Sequence, residues 1–137
     1  MKGKSMSDYI VWLDSEKAHV FELNAELKQS KLQKENFEHQ IKHKKGNHEQ
    51  HLNEILFKKI AERLTESNKI LLMGPGLAKN QFRVYLDEHH THSLGKHVVG
   101  VETCDHPTDN QILAIARKFF AHYDLFNEPI LATGSRD

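Results

Sequence analysis

A strand–helix–strand pattern between residues 69 and 103 constrains the fold of this chain most strongly. The run "KILLMGPG" begins with continuous apolar residues at 70–73, which is typical of a strand buried on both faces. Residues 78–89 predict a helix, and "KHVVGVET" (96–103) predicts the next strand. Because a helix connects them, the two strands are expected to pair in parallel through a right-handed crossover.

The first half of the chain predicts three more strands and a helix. "YIVWLD" (9–14) and "AHVFEL" (18–23) are apolar, β-rich runs that predict a hairpin. Residues 24–34 are polar and poorly patterned, whereas "NFEHQIKH" (36–43) alternates and predicts a third strand. From residue 48 to 67, helical spacing is shown by Leu52, Ile55, Leu56, Ile60 and Leu64.

Two helix ends carry recognisable signals. Asn47 precedes the long helix and is expected to cap it. In "HPTDNQILAIARKFFAHYD", Pro107 suits the first turn of a last helix. The apolar face predicted for that helix contains Ile112, Ile115, Ala116, Phe119 and Phe120.

Together these elements predict an α/β fold. Its mixed sheet has about five strands and three helices, in the order β-β-β-α-β-α-β-α. The length of 137 residues predicts a single domain over 1–137, with flexible tails at 1–7 and 127–137.

Composition narrows the class of protein. The chain is 38% hydrophobic and 28% charged, as expected for a soluble globular protein, and it has no run of about 18 apolar residues that would span a membrane. The N-terminal residues lack the apolar core of a signal peptide. The single cysteine, Cys104, excludes an internal disulfide and indicates a cytoplasmic location.

The net charge is zero, with 19 lysines and arginines against 19 aspartates and glutamates, but the charge is unevenly distributed. Residues 28–45 hold six lysines and only two glutamates. Lysines in a glycine-containing loop suit contacts with phosphate, although a solvated loop has the same composition. The predicted RNA-binding residues are Lys28, Lys31, Lys34, Lys42, His43, Lys44 and Lys45.

Histidine clusters are the candidates for a metal site. His39, His43, His48 and His51 lie close in sequence, and "DEHHTH" (87–92) forms a second group. Their spacings match no zinc signature, and Cys104 has no cysteine partner. We therefore expect polar surface here, with no metal and no cofactor.

Two further motifs have ordinary structural interpretations. The stretch "MGPGLAKNQF" has neither the third glycine of a dinucleotide fingerprint nor the Gly-Lys-Ser/Thr of a P-loop. It therefore predicts a structural turn at Gly74, Pro75 and Gly76. Cys104 stands beside Asp105 and His106. Nucleophilic catalysis requires the thiol and the imidazole to meet in space, and adjacent side chains rarely point at each other.

In this order the motifs resemble the middle domain of the eukaryotic and archaeal class 1 release factor and Pelota family. The resemblance runs over residues 8–126 through "YIVWLDSEKAHVFEL", "KHKKG", "HLNEILFKKIAERL", "KILLMGPGLAKNQFRVYL" and "HVVGVET". The chain is also similar to small, stand-alone bacterial proteins known as translational machinery proteins. The family's codon-reading and partner-binding domains have no counterpart in these 137 residues.

In release factors of that family, a Gly-Gly-Gln loop ahead of the long helix promotes hydrolysis of peptidyl-tRNA. The corresponding stretch here is "KKGNHEQ", in which Asn47 follows Gly46 and Gln50 is expected inside the helix. The freedom of a glycine pair is lost, so the resemblance implies ribosome binding without peptide release.

The sequence thus leads to three hypotheses. The first is a cytoplasmic, non-catalytic protein that binds the ribosome, rRNA or tRNA through its basic loop. The second is a hydrolase of RNA or peptidyl-tRNA esters with His43, His48 and Glu49 as acid–base groups. The third is a module that binds another protein.

Overall fold

The computed structural model describes residues 6–24, 26–41, 47–89 and 91–127. The secondary structure comprises β1 (Ser7–Leu13), β2 (Lys17–Leu23), β3 (Lys28–Gln33), α1 (His48–Arg63), β4 (Ser67–Gly74), α2 (Ala78–His89), β5 (Val98–Thr103) and α3 (Asp109–Asn127). Two 3-10 helices lie at Lys34–Ile41 and Thr91–His97. Within these residues, no helix combines the length and apolar character needed to cross a bilayer.

The five strands form one mixed sheet in the order β3-β2-β1-β4-β5. β1 pairs antiparallel with β2 and parallel with β4, so that Val11 lies opposite both Val20 and Leu72. β2 and β3 are antiparallel, and β4 and β5 are parallel, as a helical crossover requires. The predicted α/β class and the mixed five-stranded sheet are confirmed.

The chain divides into two compact units, residues 1–106 and residues 107–137. The prediction of a single domain over 1–137 therefore stays a prediction. The first unit contains the whole sheet with α1 and α2, and the second contains α3.

One face of the sheet forms the main core of the first unit with α1 and α2. The inward positions of α1 include Leu56 and Ile60, which are 1% and 0% exposed. Phe82 of α2 is fully buried, and its ring centroid lies 5.3 Å from that of Phe57. The helical spacing in the sequence predicted these faces because residues three and four apart share one side of a helix.

The prediction of a third strand at 36–43 is wrong. The third strand is β3, and the chain then forms the 3-10 helix Lys34–Ile41. Phe37 and Ile41 are buried whereas His39 is exposed, so the buried positions are four residues apart rather than two. β3 escaped notice because only Leu32 among its six residues is buried.

In the second unit, α3 begins with a capping box. The Thr108 backbone N–H donates to Gln111 Oε1 at 2.9 Å, and the Gln111 N–H donates to Thr108 Oγ1 at 3.2 Å. Ile115, predicted on the apolar face, is 39% exposed, whereas Leu113, outside the predicted face, is 7% exposed, so the buried stripe is rotated towards Leu113.

Candidate nucleic-acid interface

β3 presents two of the predicted phosphate-binding lysines. It lies at the edge of the sheet and pairs with β2 alone among the described strands. Lys28 and Lys31 are exposed, while Leu32 turns into the core. Since side chains alternate along a strand, Lys28 lies on the face of Leu32 and Lys31 on the opposite face.

Lys34 occupies a different environment from the one predicted. Its side chain is 3% exposed, and its ammonium group forms an ion pair with the carboxylate of Glu49, in the first turn of α1. A buried ammonium engaged in this way is not presented to phosphate. Lys34 therefore joins the first 3-10 helix to α1 and leaves the basic surface.

A second side-chain contact joins the same two elements. His48 Nε2 lies 3.0 Å from Glu38 Oε1, and both side chains are more than half exposed. His48 and Glu49 are the described members of the acid–base set suggested for a hydrolase. Each contacts a residue of the preceding 3-10 helix: His48 contacts Glu38, and Glu49 contacts Lys34.

Asn47 caps α1, as predicted. Its side-chain oxygen accepts the Gln50 backbone N–H at 3.1 Å, and its carbonyl accepts the His51 N–H at 3.1 Å. Gln50 lies within the first turn of α1, also as predicted. The predicted site residues outside the described part of the chain are Lys42, His43, Lys44, Lys45 and Gly46.

These contacts locate the excess of positive charge. Within the described part of residues 28–45, two exposed lysines are balanced by two exposed glutamates, namely Lys28, Lys31, Glu35 and Glu38. Lys34 is neutralised by Glu49. The excess of the segment therefore belongs to the lysines at 42, 44 and 45, immediately before the capped start of α1.

The turn after β4 depends on a glycine. Gly74 has a φ of +156°, and a Cβ atom there would lie 2.1 Å from the Leu13 carbonyl oxygen. The Gly74 carbonyl accepts a hydrogen bond from the Cys104 N–H at 3.0 Å, which joins the carboxyl ends of β4 and β5. Gly76 is different, since nothing lies within 4 Å of the equivalent position.

His106 makes contacts at this carboxyl edge that sequence reasoning missed. Its Nδ1 lies 3.0 Å from Asp105 Oδ1, and its Nε2 lies 3.4 Å from Asp14 Oδ2. The imidazole centroid is 5.1 Å from that of Trp12, whose Nε1 donates to the Asp105 carbonyl at 3.0 Å. The neighbouring side chains Asp105 and His106 do meet, contrary to the expectation from their adjacency.

Cys104 is poorly suited to nucleophilic chemistry. Burial raises the pKa of its thiol. Hydrogen bonds to Gly74 and Trp12 and the charge of Lys79 lower the pKa, but by less. Both ring nitrogens of His106 face carboxylates instead of this thiol. A thiol kept protonated without a base in contact is a weak nucleophile.

Two clefts accompany these features. One, of about 360 Å³, lies at the carboxyl edge between Asp14, Ser15, residues 75–78 and His106. The other, of about 620 Å³, lies between α1 and α2 and escaped sequence reasoning, although its residues recur at helical spacing. Across the described ranges, no three His, Cys, Asp or Glu side chains are placed to hold a metal ion.

No protein-family model matches the sequence, and no curated protein matches it. Solved structures do match. The Pelota protein of Archaeoglobus fulgidus superposes with a TM-score of 0.57 at 15% identity, over 84% of this chain and 32% of that protein. An archaeal translation termination factor, aRF1, gives a TM-score of 0.50 at 20% identity, over 95% of this chain and 42% of its own.

Dom34 of S. cerevisiae, a translation termination-like factor involved in RNA quality control pathways and interacting with Hbs1, gives a TM-score of 0.56 at 15% identity. The match covers 82% of this chain and 33% of Dom34. The chain thus spans between about a third and two fifths of the length of these proteins. At these identities the likeness concerns the fold, and the chain has the fold of a release-factor/Pelota-like domain.

Proposed function

We propose that this protein acts in translation, in the cytoplasm, by binding the ribosome or its RNA through the basic segment 28–45. The observation that carries the proposal is the location of positive charge just before α1. The fold shared with translation termination-like factors supports a role in translation. Lysine contacts with phosphate supply affinity without reading a base sequence.

The described residues flank positions 42–46 on both sides. On one side stands the first 3-10 helix, and on the other stands the capped first turn of α1. The pairs Lys34–Glu49 and Glu38–His48 connect the two sides.

We propose that binding occurs without hydrolysis of peptidyl-tRNA. The sequence contains no Gly-Gly-Gln. Asn47 is used as the cap of α1, and Gln50 belongs to the helix, where its backbone N–H donates to that cap. Neither residue supplies the flexible glycine pair that precedes the glutamine in release factors.

Co-sedimentation with purified ribosomes at two salt concentrations tests the binding. The wild-type protein is expected to pellet with ribosomes at low salt and to be released as salt rises. Replacing the lysines at 42, 44 and 45 by alanine should weaken binding and reduce the slope of log K against log salt concentration by about 2 to 3, because each phosphate contact contributes about 0.7 to 0.9.

The matched control replaces three exposed lysines elsewhere, Lys17, Lys96 and Lys118, by alanine, which changes the net charge equally. Equal weakening by both triple variants would show that only net charge matters and would refute the proposed surface. Peptidyl-tRNA hydrolysis is measured on the same preparation. Release that falls on changing His48→Ala would favour the hydrolase instead.

A further inference from the structure

The groove between α1 and α2 is separate from the basic segment and has different chemistry. Its lining comes from one side of each helix, namely Glu54, Lys58, Ala61, Glu62, Thr65, Tyr85 and His89. The cleft of about 620 Å³ is large enough for a side chain together with part of its backbone. All of these residues belong to the first compact unit.

Two carboxylates give the groove its charge. Glu54 and Glu62 are both exposed and lie two turns apart on α1, which places them about 12 Å apart along the axis. Both line the groove together with Tyr85, whose pKa is raised first by burial and then by the charges of Glu54 and Glu62. The phenol thus shares the groove with two anionic groups.

Tyr85 forms a fixed aromatic wall. Its ring stacks against that of His89, with centroids 4.0 Å apart and planes 26° apart, and packs against Phe57 at 5.5 Å. The Tyr85 side chain is therefore held in place before anything binds. A ring face beside carboxylates attracts cations through its quadrupole.

His89 adds a hydrogen-bond acceptor. Its Nδ1 lies 3.0 Å from the Tyr85 carbonyl oxygen, and a carbonyl only accepts, so Nδ1 carries the proton. In the neutral imidazole this leaves Nε2 as an acceptor. The groove thus combines two carboxylates, an imidazole acceptor and an aromatic face, against one lining cation, Lys58.

We propose that this groove binds an arginine side chain on a basic segment of a protein partner. A guanidinium group is planar, donates several hydrogen bonds in fixed directions and stacks on aromatic rings, which suits the carboxylates, the imidazole acceptor and the aromatic rings of the lining. The carboxylates repel phosphate, so RNA does not fit here. This inference goes beyond the proposed function, since it concerns another surface and another class of partner.

Fluorescence anisotropy with a labelled peptide of three arginines separated by Gly-Ser spacers tests the proposal. The double variant Glu54→Gln, Glu62→Gln is expected to bind it about tenfold more weakly, as two charged contacts are lost. The matched control Glu26→Gln, Glu35→Gln removes two exposed carboxylates outside the groove and should change binding less than about twofold. Lys58→Ala should tighten binding severalfold, because it removes the cation that opposes the ligand.

A peptide with lysines in place of the arginines separates recognition of guanidinium from attraction to any positive charge. Preference for arginine in the wild type, reduced in Tyr85→Leu, supports the proposal. Equal weakening by the two double variants, or equal binding of the two peptides, would overturn it. Circular dichroism of each variant establishes that the fold persists, and unchanged ribosome binding by the groove variants would separate this result from the proposed function.

Discussion

The ion pair between Lys34 and Glu49 leads to an asymmetric prediction. The Lys34 side chain is 3% exposed, whereas that of Glu49 is 57% exposed. Glu49→Ala leaves a buried ammonium without its carboxylate, while Lys34→Met removes the ammonium and keeps most of the buried length. We therefore expect the glutamate variant to be the less stable of the two, although it alters the more exposed residue.

The magnitudes follow from this geometry. Breaking a fully buried pair costs about 3–5 kcal/mol, but water reaches Glu49, so the cost of Glu49→Ala is reduced to about 2 kcal/mol. Lys34→Met, a change of similar volume, is expected to cost about 1 kcal/mol or less. In the double variant no ammonium remains to be stranded, so its stability should lie within about 1 kcal/mol of Lys34→Met.

Urea unfolding followed by fluorescence of Trp12, the single tryptophan, measures all four proteins of the cycle. Trp12 is 4% exposed and reports loss of the core. If Glu49→Ala proved as stable as Lys34→Met, or if the two changes were simply additive, Lys34 would not depend on this carboxylate. The connection between the first 3-10 helix and α1 would then need another explanation.

Three further predictions concern stability. Burial and then Glu22 raise the pKa of Tyr9 from 10.0 to about 12, so the folded protein keeps a proton that the unfolded chain releases at high pH. Stability should therefore fall by about 2 kcal/mol between pH 10 and 12, and Tyr9→Phe should lack this decrease in alkaline urea unfolding. Gly74→Ala drives a Cβ into a β1 carbonyl and should cost about 3 kcal/mol or more in urea unfolding, whereas Gly76→Ala, with open space, should cost little. Asn47→Ala removes the cap of α1 and should lower stability by about 1 kcal/mol, a loss of several degrees in thermal unfolding.

The strands and helices predicted correctly are those whose buried positions form a pattern of apolar residues within one element. The apolar run at 70–73 forms the interior strand β4, and the spacing of apolar residues predicted α1 and α2. β3 was missed because its side chains are mostly polar. An edge strand is held by backbone hydrogen bonds to its neighbour, here β2, and these form whether the side chains are polar or apolar. The 3-10 helix that follows β3 was predicted as a strand because two buried residues four positions apart also fit an alternating pattern.

The site was less predictable for a related reason. Lys34 and Glu49 are 15 positions apart, and Asp14 and His106 are 92 apart, so no local pattern pairs them. In the sequence Lys34 has the same charge as Lys28 and Lys31, and only the packing of the 3-10 helix against α1 distinguishes it. Asn47, by contrast, acts within one helical turn and was identified correctly.

The position of β3 at the sheet edge has a consequence for self-association. An edge strand exposes unpaired backbone groups that another copy of the chain can use to extend the sheet, and lysines on such strands oppose that pairing by charge repulsion. Lys28 and Lys31 lie on opposite faces of the edge, so either face of an approaching strand meets a positive charge. The same two side chains thus oppose extension of the sheet by another copy, and replacing them by alanine should make the protein more prone to assemble.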